Sequence, residues 1–227
     1  MAAISRSVET DDRLEPFHGV LSPGLSFSSG HSILPHTYSS TPLPLAAHNE
    51  LWLVTPAGDR RLYVDPPEAA PYLETYHRFD RTVGASINWS RSTDDRVDVR
   101  VAADDGTAID VSADLGDSIA TWLLTRLSGV TPSRLLKTAV GSWISNLSFQ
   151  GLLETNGLQI AGQTETGEPY RVEADTLRTI ESATATLDGD DLGALRIPYR
   201  RVAFGDHVIP DDALLVAGDL YLPPPER

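Results

Sequence analysis

The sequence predicts an α+β fold: a large twisted antiparallel β-sheet, or a cone or barrel of such strands, with an amphipathic helical hairpin inserted at about residues 115–150. Three observations predict it. Apolar residues alternate with polar or small ones through residues 83–113, the period lengthens to 3.6 at Asp114, and strand-like patterning returns from Leu158 onward.

Taken in order, residues 1–50 are rich in Ser, Pro and His and hold neither period for long, which predicts an extended arm packed on or frayed from a single domain of residues 51–227. Leu51-Trp52-Leu53-Val54 and Arg61-Leu62-Tyr63-Val64 flank a Pro56-Ala57-Gly58-Asp59 turn as a hairpin, which Pro66-Pro67 ends. A short helix is predicted over Pro71–His77, since proline is tolerated in a first helical turn. Val83, Ala85, Ile87 and Trp89, then Val97, Val99 and Val101, then Ile109, Val111 and Ala113 form a three-stranded meander with one buried face.

The hairpin of helices follows. Ile119, Trp122, Leu123 and Leu127 share a helical face that Gly129 caps. Thr131 and Pro132 start a second helix with a stripe of Leu135, Leu136, Val140, Trp143, Ile144 and Leu147. Strands are predicted again at residues 158–160, 170–172 and 177–187, and the last at 214–222, stopped by Pro223-Pro224-Pro225.

The chain carries 18 basic and 32 acidic residues, a formal net charge of -14. Such a charge repels phosphate backbones and anionic bilayers, so neither nucleic acid nor a membrane is expected as a partner. Lys137 is the only lysine, and the acidity points to a salt-adapted host. The absence of cysteine excludes disulfides, thiolate nucleophiles and Cys-ligated metals. No apolar run approaches the roughly 20 residues that span a bilayer, and the start of the chain carries acids where a signal peptide carries bases, so a cytoplasmic location is expected.

Among candidate chemical groups, Glu74 and His77 stand three apart and would be neighbours on a helix, where a carboxylate can orient an imidazole base. Arg78 and Arg81 follow as guanidiniums suited to a carboxylate. Lys137 can in principle form a Schiff base, although helical geometry places it beside Ser133 and Arg134 on the solvated side. Trp89, Trp122 and Trp143 either line a ligand site or pack the helices on the sheet. His18, His31, His36 and His48 match no metal-ligand spacing and read as loop histidines, so no metal and no cofactor is expected.

Several short stretches resemble the acetoacetate decarboxylase superfamily: Leu158-Gln159-Ile160, Thr166-Gly167-Glu168-Pro169, Ser182-Ala183-Thr184-Ala185-Thr186-Leu187, Gly218-Asp219-Leu220-Tyr221-Leu222-Pro223 and Thr82-Val83-Gly84. The resemblance covers about residues 80–222 and implies a cone of antiparallel strands around a small-carboxylate pocket. It also implies a nucleophilic lysine near residues 68–81, a stretch that contains none here. The expected function is therefore binding of a small carbonyl or carboxylate compound, or lyase-like acid–base chemistry without cofactor, by His77, Glu74 and an arginine anchor. An apolar-ligand carrier with a lipocalin-like barrel, and a module that forms homo-oligomers through its helices, are the alternatives.

Overall fold

The computed structural model describes residues 13–116 and 160–224. The predicted helical hairpin, with Trp122, Lys137 and Trp143, lies outside the described residues. The strands are β1 (Glu15–Leu21), β2 (Leu25–Ser26), β3 (Ser32–Ser40), β4 (His48–Val54), β5 (Arg60–Asp65), β6 (Arg81–Thr93) and β7 (Arg96–Ala103). They continue as β8 (Ala108–Gly116), β9 (Ala161–Gln163), β10 (Pro169–Leu187), β11 (Asp190–Asp191), β12 (Ala203–Phe204), β13 (His207–Val208) and β14 (Leu214–Leu222). Between β5 and β6 a 3-10 turn, Pro67–Ala69, leads into a one-turn helix α1, Ala70–Leu73.

The predicted large sheet is present and is a ring. Its order is β1-β14-β10-β8-β7-β6-β5-β4-β3-β2, and a second pairing of β1 with β3 closes it. All neighbours on this path are antiparallel except β5 and β6, which run parallel because the turn and α1 carry the chain back across the end of the sheet. The short hairpin β12–β13 is separate. Among the described residues no helix is long and apolar enough to cross a membrane.

Residues 15–40, read from sequence as an arm, are β1, β2 and β3 of the ring itself. Two glycines make that closure possible. Gly19 of β1 faces Gly218 of β14, and a side chain at Gly19 would stand 2.0 Å from the Thr37 carbonyl of β3. Gly218, at φ 154°, leaves the same room for the Glu173 carbonyl of β10. Register shifts at His18/Gly19 and Ala174/Thr176 sit beside these close approaches, and such bulges bend a sheet sharply.

Period-two alternation divides the side chains between two faces. Ile33, Leu51, Leu53, Tyr63, Ile109 and Val111 point into the ring with the aliphatic face of β6, β7 and β8, filling its interior. The alternate residues of β3, β4 and β5 are buried as well, on the outer face, under α1, Val202, Phe204 and Ile209. The outer face of β1, β10 and β14 adds Phe17, Tyr170 and Leu222, which pack with Tyr38 and Tyr76.

A histidine-lined pocket on the outer face

The register of β3 and β4 sets Leu34 opposite Trp52, His36 opposite Glu50 and Tyr38 opposite His48, all on the outer face. Three cross-strand pairs thus carry two imidazoles, a carboxylate, a phenol and an indole into a buried layer, where directly opposed side chains touch. Tyr76 and His77, just past α1, His207 of β13, and the apolar outer residues of β1, β10 and β14 complete the walls of a cavity of ≈ 100 Å³. Phe17, Leu21, Val172, Val216, Leu220 and Leu222 make one side of it apolar.

Glu50 is 2 % exposed and fully committed. The Trp52 indole Nε1–H donates to its Oε2 at 3.0 Å, and His36 Nδ1 lies 3.1 Å from its Oε1. Burial by itself pushes the Glu50 carboxyl up, but the hydrogen bond and charge of His36, aided by His48 and Trp52, hold it below its ordinary value. The other His36 nitrogen, Nε2, faces the Ser22 carbonyl at 3.2 Å, an acceptor only, so Nε2 carries a proton. A second proton must then lie between Nδ1 and Oε1, because two lone pairs would otherwise meet at 3.1 Å. Wherever along that contact it sits, the His36–Glu50 pair is electrically neutral.

His48 is the unusual member. It is 2 % exposed, stacks on Tyr38 with ring centroids 4.8 Å apart, and has no hydrogen-bond partner at either ring nitrogen. Burial pushes its pKa down, opposed by the charge of Glu50 and helped by that of His36, so it is a neutral imidazole with one donor and one acceptor. Burying such atoms without partners costs about 1–3 kcal/mol each.

His77 and His207 are neutral for the same reason. Burial brings His77 down to about 3 and His207 to about 4. His207 Nε2–H donates to the Pro23 carbonyl at 3.0 Å. His77 tilts against Trp52 at 4.6 Å, and its Nδ1 is buried and unpartnered, 3.9 Å from Glu165 Oε2. Glu165 is already engaged by the Arg60 guanidinium and by the Arg78 backbone N–H, which donates at 2.9 Å. Tyr38, by contrast, is pushed well up by burial and by the charge of Glu50.

Of the residues picked out from sequence, His77 belongs to this pocket. Glu74 does not orient it: its carboxylate accepts instead from the Thr82 hydroxyl at 2.5 Å. The Arg78 side chain is exposed, and Arg81 pairs with Asp105 at 3.0 Å. Trp89 packs against the cluster inside the ring, the opposite face. Lys137, Trp122 and Trp143 lie outside the described residues.

Sequence reasoning missed His36, His48, Glu50 and His207. The available signal was the alternation His48-x-Glu50-x-Trp52 interleaved with Leu51 and Leu53, which marks a strand buried on both faces. Among the described residues no group of three or more His, Asp or Glu is arranged to hold a metal ion. No family model, no curated protein and no solved structure matches this chain.

Proposed function

We propose that this chain binds a small, electrically neutral, mostly apolar molecule bearing a carbonyl or hydroxyl group, in the pocket on the outer face of the ring. The observation that carries this reading is His48, a buried neutral imidazole with both nitrogens unpartnered in the wall of an apolar cavity. A ligand that hydrogen-bonds there removes a standing cost of the unliganded fold. Neutrality follows from the charges: the His36–Glu50 pair sums to zero, His48, His77 and His207 are uncharged, and no arginine lines the cavity among the described residues. A carboxylate would enter without a countercharge. The expectation of a carbonyl or carboxylate ligand is thereby narrowed to its neutral half, and Arg78 and Arg81 have no part in it.

Binding is favoured over turnover because the candidate bases are weak. Burial lowers both His48 and His77, and an effective general base has its pKa near the working pH. Lyase-like chemistry remains the second reading, on the 3.9 Å approach of His77 to Glu165, which could tighten around a substrate.

Matched pairs of compounds test the proposal by thermal shift: cyclohexanone and cyclohexanol against cyclohexanecarboxylate. The neutral compounds should raise the melting temperature by about 5–10 °C at about a hundredfold excess over Kd, with no effect from the carboxylate. Leu220→Trp, which fills the cavity, should remove the shift while far-UV circular dichroism stays unchanged. Stabilisation by the carboxylate, or a shift that survives in Leu220→Trp, would overturn the reading.

A further inference from the structure

We propose that the molecule taken up by this pocket is a hydroxylated aromatic ring, a phenol in its neutral form; this class assignment rests on the reading of the pocket as a ligand site. Shape supplies the first argument. Nine of the twenty described lining residues carry aromatic rings, several of them packed on one another. Phe17 meets Tyr38 edge-on at 5.8 Å and 74°, and meets His48 at 6.4 Å and 88°. Aromatic rings pack in offset and edge-to-face arrangements of this kind, so a planar guest continues the pattern where a puckered one breaks it. A cavity of ≈ 100 Å³ suits one ring with a small substituent.

Hydrogen bonding supplies the second. In either tautomer a neutral imidazole offers one donor and one acceptor on opposite edges of the ring, so whichever nitrogen turns toward the cavity is answered by a hydroxyl, which can both donate and accept. Ketones and ethers only accept, a carboxylate accepts and adds charge, and an ammonium only donates. The resident phenol of this wall also shows which form the site tolerates. Tyr38 is held protonated by burial and by the charge of Glu50, and a guest phenol, ordinarily near pKa 10 (about), meets the same field.

Isothermal titration of the whole chain at neutral pH with phenol, toluene, cyclohexanol and benzoate tests the assignment. Phenol should bind at least about tenfold more tightly than toluene, which lacks the hydroxyl, and more tightly than cyclohexanol, which lacks the flat ring, while benzoate should not bind. In His48→Phe the preference for phenol over toluene should vanish with toluene binding retained; His48→Gln, which keeps a donor and an acceptor, should restore part of it. Equal binding of toluene and phenol, or stronger binding of cyclohexanol, would overturn the phenol assignment and leave the pocket standing. Failure of all four to bind folded wild-type protein would overturn both. The wild-type comparison decides the matter even where a variant does not fold.

Discussion

β4 and β7 are both strands of one ring, yet they are built to different ends. In β7 the buried positions Val97, Val99 and Val101 alternate with exposed or half-buried ones, so one face packs the interior and the other meets water. In β4 six of seven residues are buried: Leu51 and Leu53 point inward, while His48, Glu50 and Trp52 are buried on the outer face. Aliphatic burial on β7 stabilises the fold outright. The outer face of β4 gives up part of that stabilisation to hold polar atoms out of water, and what it gains is a chemically specific wall.

The largest effect should come from breaking the buried pair on one side only. His36→Ala strands the Glu50 carboxylate under Trp52, and urea unfolding should show a loss of about 3–5 kcal/mol. Replacing both partners, His36→Leu with Glu50→Leu, should cost less than the single change, because no charge is stranded although the Trp52 Nε1–H loses its acceptor. A double variant as unstable as the single one would mean that the pair is structural, and the contrast between the strands would fail. Next comes the aliphatic side: Ile109→Ala, 1 % exposed in the ring interior, should cost about 2–5 kcal/mol in the same assay and leave ligand binding intact.

Acidity separates the two regions again. His48, His77 and His207 have lowered pKa values in the folded chain, the last two at about 3 and about 4, whereas an unfolded histidine titrates near 6.5. Below pH 6.5 (about) the unfolded state therefore binds more protons, and stability falls as pH drops toward 4 (about), by up to 1.4 kcal/mol (about) per pH unit for each such group. Glu50, lowered in the fold, adds a loss in the same direction as pH falls through its folded value. Urea midpoints measured across this range should slope less steeply in His207→Gln, and an unchanged slope would refute the assignment of buried neutral imidazoles. The smallest effect belongs to Glu74→Ala, on the exposed Thr82 contact, expected within about 0.5 kcal/mol of wild type.

These contrasts also explain what was legible in the sequence. The meander β6, β7 and β8 could be read because one-sided burial writes a plain period of two, and the β4–β5 hairpin and β14 because short apolar runs are bounded by turn residues or prolines. β1 and β3 could not, since Gly19, Pro35 and burial on both faces erase the alternation. Glu74 and His77 drew attention through a spacing of three, but the Glu74 carboxylate turns to the Thr82 hydroxyl. The pocket joins β3 and β4 to His77 and to His207 of β13, 171 positions beyond His36, and only the tertiary fold brings those segments together.

The most direct test of the central claim is the ring-nitrogen NMR spectrum of ¹⁵N-histidine-labelled protein at neutral pH, recorded with and without saturating phenol. A neutral His48 whose two nitrogen resonances shift on binding, with the Leu220→Trp variant unresponsive, is the predicted result. A charged His48 in the free protein, or nitrogens that do not move while phenol binds, would contradict it.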